Sequence, residues 1–167
     1  RLAEQARRVG TERSARHLTF VRTANPDLRP GAWAPRYGQI LINDTLYNQA
    51  HLDAYYRWDV LRTPQAAAPP DTTTQELVVA HELGHVLVDG IRVEGGTHRS
   101  APPTPERAYA QEITPNDQPH PTELANENLA TEIGFWALGV NRPPAVIGFR
   151  ETYLAPLVRG TTTVVSR

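Results

Sequence analysis

Apolar and polar positions along the chain fall into a few clear runs. From Thr74 to Val88 the aliphatic residues Leu77, Val78, Leu83, Val86 and Leu87 recur at helical spacing. Thr73-Thr74-Gln75-Glu76 fits a capping box, with Thr73 as N-cap and Glu76 at the third position. Gly90 after Asp89 is the expected C-terminal stop. A second helical run is expected to be capped by Thr122. It passes through Glu123, Leu124, Ala125, Asn126, Glu127, Leu129, Ala130, Ile133 and Trp136 to Leu138, with Gly139 as its stop. On this run Glu123 and Glu127 share a face that Ala130 and Gly134 extend with small residues, so the helix can pack closely against the first one. Glu132 falls off that face and reads as solvated or structural.

Shorter runs complete the picture. Residues 2 to 9 read as a short basic helix ending at Gly10, and His17 to Val21 alternate as a short strand. Asn25-Pro26 and Arg29-Pro30-Gly31 mark turns or loop. Tyr37 to Asn43 is the best strand pattern in the chain. A helical segment through Trp58 and Leu61 is expected after it, packing through Tyr47, Leu52, Tyr55 and Tyr56. Gln65 to Pro70 is an Ala/Pro linker. The stretch from Gly95 to Pro121, rich in Pro, Gly and polar residues, reads as a long irregular loop.

The 167 residues suit one domain, 1–167, long enough for a real core. A net charge of −1 gives no case for a nucleic-acid or anionic-membrane partner. No apolar run approaches the roughly 20 residues that span a bilayer, and no internal repeat is visible. Cysteine is absent, which removes disulfides, thiolate ligands and cysteine nucleophiles together. Arg1 is not an initiator residue, so the expectation is a processed chain or a piece of a longer protein, with a secreted or exported location favoured.

The chemistry concentrates in His81-Glu82-Leu83-Gly84-His85. Residues four apart share one helix face, so His81 and His85 can bring two imidazole nitrogens to one metal ion. Glu82 is rotated by about 100° from His81, which lets its carboxylate reach a water at the metal without ligating the metal. Two imidazoles and a carboxylate suit zinc. The missing side chain at Gly84 lets another element approach the helix. The third ligand is open on this reading: Glu123 or Glu127 on the second helix, or His98 or His120 in the Pro-rich stretch.

The segment Val78 to Val88 resembles the active-site helix of the zincin metallopeptidases. Glu127-Asn128-Leu129-Ala130-Thr131-Glu132-Ile133-Gly134 is similar to the ligand element on the following helix of Glu-zincins, above all of the ImmA/IrrE-type peptidases. Asn126-Glu127 resembles the Asn-Glu pair of thermolysin-like enzymes. The resemblance covers the two helices and the preceding strand, and it points to Glu127 as the third ligand. Thr131 departs from it: those families carry Asp or Asn there to support a ligating histidine, a role that a hydroxyl fills more weakly. Metzincins fit poorly, because Val88 stands where their glycine would and the chain contains no methionine.

What the resemblance implies is an α+β, zincin-like fold: a small mixed sheet with the active-site helix, then a mostly helical C-terminal part. It implies a Zn2+ peptidase, cleaving internal bonds of a protein or peptide substrate, with Glu82 as general base and His81, His85 and Glu127 as ligands. It also implies that a strand, here 38–43, pairs with extended substrate. His98, Tyr109 or His120 are candidate oxyanion donors. The other readings are a protease effector or toxin domain of a larger protein, and a zincin-fold binding or scaffold domain without turnover. Against the scaffold stands the intact Glu82, since a purely structural site has no use for a base.

Overall fold

The computed structural model describes residues 19–24, 32–36, 39–48, 50, 67–94, 105–113 and 125–158. The fold is mixed α and β and mostly helical. Three strands, β1 (Thr19–Thr23), β2 (Ala32–Arg36) and β3 (Gln39–Asn43), form a sheet in the order β1-β3-β2. β1 runs parallel to β3 with Thr19 opposite Gln39, and β2 runs antiparallel to it with Trp33 opposite Leu41. The β2 register breaks between Trp33 and Arg36, around Pro35, which has no N–H for a ladder. Of the strand expected at 37–43, residues 39–43 form β3, and of the one expected at 17–21, residues 19–21 lie in β1; the other positions lie outside the described residues.

A short 3₁₀ turn (Asp44–Tyr47) follows β3 and buries Leu46, while Tyr47 is 68% exposed. Tyr47 therefore does not belong to the packing face expected of it. The residues expected to complete that helix's packing face, the N-terminal basic helix and the first two residues of the Ala/Pro linker lie outside the described residues.

Helix α1 (Thr74–Glu94) opens as the sequence pattern predicts. The Thr73 N–H donates to Glu76 Oε2 at 3.0 Å, and the Glu76 N–H donates back to Thr73 Oγ1 at 3.2 Å. Gly90 does not end it. A glycine inside a helix costs about 1 kcal/mol against alanine, which this long helix absorbs. A second correction concerns the supposed irregular loop, where α2 (Pro105–Glu112) forms and buries Ala108 and Tyr109. Proline at a first helical position loses no hydrogen bond, because that N–H has no partner inside the helix.

Helix α3 (Ala125–Ala137) ends where expected. Gly139 adopts φ +73°, its N–H donates to the Trp136 carbonyl at 3.1 Å, and the Val140 N–H reaches the Phe135 carbonyl at 2.9 Å. Helix α4 (Pro144–Phe149) then runs through a π-helical turn (Arg150–Leu154) into α5 (Ala155–Val158).

Helix α1 lies between the sheet and α3, which explains why its apolar residues are spread around it. Val78, Val79, Leu83 and Val86 pack on Ala32, Ile40 and Leu46 of the sheet side. Leu77 meets Phe135 and Val140 near the end of α3. Against α3 the helix presents backbone: a Cβ built on Gly84 would stand 2.2 Å from the Ala130 carbonyl oxygen, and one on Gly134 would stand 3.0 Å from His81 N. The pairs Gly84–Ala130 and Ala80–Gly134 run in opposite chain directions, so the helices are antiparallel where they touch.

A second core joins α2, α3 and the C-terminal helices through Tyr109, Leu129, Ile133, Val146, Phe149 and Leu154. Glu132 is fully buried within it. It accepts hydrogen bonds from Arg150 Nε at 2.6 Å, Arg142 Nε at 3.0 Å and the Tyr109 hydroxyl at 3.2 Å. Burial pushes its carboxyl pKa up, and the guanidinium groups of Arg150 and Arg142 pull it back down. Glu132 is thus structural, and solvated it is not.

Two stability predictions follow from this packing. Gly84→Ala forces the helices apart and is expected to cost at least about 1–3 kcal/mol. Gly148→Ala, whose new methyl meets nothing within 4 Å, is expected to gain about 0.5–1 kcal/mol. Urea denaturation of both variants checks the contrast. Glu132→Gln leaves two buried guanidinium groups facing a neutral amide, and a loss of about 3–5 kcal/mol is expected in the same assay. Glu112→Gln, at the exposed partner of Tyr153, is the control and should change stability by less than about 0.5 kcal/mol.

Candidate metal centre

The α1–α3 contact sets the site. Because the backbones touch at Gly84 and Ala130, the side chains on either side of that contact meet between the helices. His85 on α1 faces Glu127 on α3, and one turn away His81 faces Thr131. The same antiparallel register governs both pairs.

Three atoms converge. His81 Nε2 and His85 Nε2 are 3.0 Å apart, and Glu127 Oε2 lies 3.2 Å from each of them. The two rings stand nearly perpendicular, at 87°, with centroids 4.6 Å apart. A tetrahedral ion with bonds of about 2.0–2.2 Å sets its ligand atoms roughly 3.3–3.5 Å apart. The observed triangle reaches that size with shifts of a few tenths of an ångström, so these side chains fit a metal ion. Among the described residues no other group of His, Asp or Glu gathers in this way.

The surroundings fix each ligand. His81 Nδ1 lies 2.9 Å from Thr131 Oγ1, both groups buried. Were Nε2 to give its lone pair to a metal at the shared centre, Nδ1 would carry the hydrogen and donate it to the hydroxyl. The Asn126 amide donates to Glu127 Oε1 at 3.2 Å, leaving Oε2 for the two histidines. Hydrogen bonds from His81 and then His85 hold the Glu127 carboxyl well below the usual carboxylate range. An acceptor kept ionised beside two imidazoles is the donor set that a divalent cation takes.

Glu82 is buried next to these groups but is not one of the three. Its Oε2 accepts from the Ala34 N–H of β2 at 2.9 Å. Burial pushes its pKa up to about 7, while the charge of His85 and the Ala34 hydrogen bond pull the other way. A carboxyl poised there can take up and release a proton near neutral pH.

Of the residues singled out by sequence, His81, Glu82, His85 and Glu127 come together. Glu123, His98 and His120 lie outside the described residues. Tyr109 does not serve as an oxyanion donor: its hydroxyl is buried in the α2–α3 core and bonded to Glu132. The strand expected to pair with substrate, 38–43, is the central strand and has neighbours on both sides. The edge strand beside Glu82 is β2, which periodicity could not pick out because Pro35 interrupts its pattern. The Ala34 N–H carries no sequence signal at all, being a backbone group.

Compared with known protein families, curated proteins and solved structures, the chain finds no match in any of the three.

The geometry predicts one divalent ion per chain. His81→Ala, His85→Ala and Glu127→Ala are each expected to abolish stoichiometric zinc binding in a chelator-competition titration, and Glu132→Gln is not. Added zinc should raise the melting temperature of the parent and leave those three variants unmoved.

Proposed function

We propose that this protein is a zinc-dependent peptidase of the Glu-zincin kind with a zincin-like fold, most simply an endopeptidase acting on proteins or peptides. The observation that carries this reading is the convergence of His81 Nε2, His85 Nε2 and Glu127 Oε2 on one point, with the carboxyl of Glu82 buried beside them. A structural site has no need of that fourth group, which favours turnover over a scaffold role.

A zinc ion held there would supply Lewis acidity towards a water and towards the carbonyl of the scissile bond. The chain's own residues do the rest. Glu82 takes one proton from the water as the water oxygen bonds to the carbonyl carbon. It then delivers that proton to the amide nitrogen as the C–N bond breaks. The Ala34 N–H holds Oε2 of Glu82, so Oε1 is the oxygen free to carry the proton. Thr131 and Asn126 keep His81 and Glu127 aimed at the centre. An extended peptide laid along the edge of β2 would run past Glu82, because Ala34 of that strand already touches it.

Glu82→Gln tests the reading. Hydrolysis of an unfolded protein is expected to fall by about 10²–10⁴-fold, with zinc content unchanged. A variant that empties of zinc as His81→Ala does would make Glu82 a ligand. A parent that binds zinc yet cleaves nothing across a panel of unfolded proteins and peptides would leave the scaffold reading in its place.

A further inference from the structure

The backbone N–H of Ala34 has two claimants and one hydrogen. In the structure it donates to Glu82 Oε2 at 2.9 Å, from β2 across to α1. The bond is possible because β2 departs from its ladder there. Trp33 stands opposite Leu41 and Arg36 opposite Gln39, so three positions along β2 answer two along β3, and the register shifts between them. An irregularity of this kind turns a backbone group out of the sheet, and Pro35, next in the chain, has no N–H to offer. Glu82 is only 8% exposed, so its carboxyl is enclosed where β2 meets α1.

Among the described residues β2 has a neighbouring strand on one side only. A peptide adding to its other side must satisfy the outward N–H groups with its own carbonyls. The N–H that lies against Glu82 is already engaged. A carboxylate oxygen and a peptide carbonyl cannot both sit about 2.9 Å from one nitrogen along the same N–H direction.

We infer that the Ala34–Glu82 hydrogen bond is an autoinhibitory latch, opened when an extended peptide pairs with β2 and takes the Ala34 N–H for itself. The inference rests on the peptidase reading above and deepens it, by making release of the base a consequence of substrate pairing. At rest the carboxyl is held by one oxygen; once displaced, it is free to swing towards the water whose proton it accepts. A carboxylate is the stronger acceptor of the two, so a single peptide carbonyl does not displace it. Several pairings made together along the strand do. Short peptides make few pairings and leave the latch shut, so peptide length enters kcat as well as KM.

The first test reads the N–H itself, by amide hydrogen exchange on zinc-loaded protein. Ala34 is expected to exchange slowly in the parent and about 10-fold faster in Glu82→Ala. An excess of casein peptides added to Glu82→Ala, which lacks the base, should make the exchange slow again. An Ala34 N–H as slow in Glu82→Ala as in the parent overturns the inference, as does one that the peptides leave fast.

The second test replaces Ala34 by lactic acid, which puts an ester oxygen where the N–H stood and changes nothing else. Without the latch, kcat on short fluorogenic peptides taken from a casein cleavage site is expected to rise about 10-fold, while kcat on whole casein stays close to the parent's. A bond that serves only to orient the base predicts a fall in kcat on both substrates, and that result overturns the inference. Should the ester protein fail to fold, the exchange rates decide alone. Failure of the peptidase reading shows separately, as a zinc-loaded parent that cleaves no casein, and the inference then falls with it.

Discussion

Between α1 and α3 there is a place where no side chain intervenes. Gly84 lies against the backbone of Ala130, and Gly134 against that of Ala80 and His81. Helices in such contact cannot slide, because a slip by one turn would drive a larger residue into the gap. Moved one way, Gly84 would meet Asn126; moved the other, Ala80 would meet Leu138. The register that remains puts His85 opposite Glu127 and His81 opposite Thr131. Which glutamate reaches the histidines is therefore decided by four small residues that bear no chemistry themselves.

Burial does the remaining work. The carboxyls of Glu82, Glu127 and Glu132 all lie on or against α1 and α3, yet each has a different task because each has different neighbours. Two imidazoles hold Glu127 ionised; two guanidinium groups and a phenol hold Glu132 in the core. Glu82, with one backbone N–H and little water, is left near the balance point. The sheet contributes the Ala34 N–H of β2, and β3 supports the helix from behind through Ile40.

Much of this was legible in the residues and some was not. Spacing alone placed His81, Glu82 and His85 on one helix. The Thr73–Glu76 cap and the Gly139 stop were readable because local side-chain chemistry makes them. Glu127 over Glu123 needed the resemblance, since helical spacing alone gives both the same face; Glu123 itself lies outside the described residues. β2 and α2 were missed for a common reason: prolines at 35 and 105 read as breakers, while one sits at an irregular edge and the other at a helix start. For Glu132 the residues left solvated and structural both open, because its partners Arg142 and Arg150 follow 10 and 18 residues later and meet it only once the chain folds back.

The ligand set also has a meaning for the chain as a polymer. His85 and Glu127 are 42 positions apart, and α2 lies in the stretch between them. An ion gripping both acts as a clasp on that loop, in the manner of a cross-link that removes freedom from the unfolded chain. For a loop of that size the chain-entropy relation gives about 4 kcal/mol. Occupancy would thus tie the segment carrying α2 to the rest of the fold, and metal supply would bear on the stability of the whole chain.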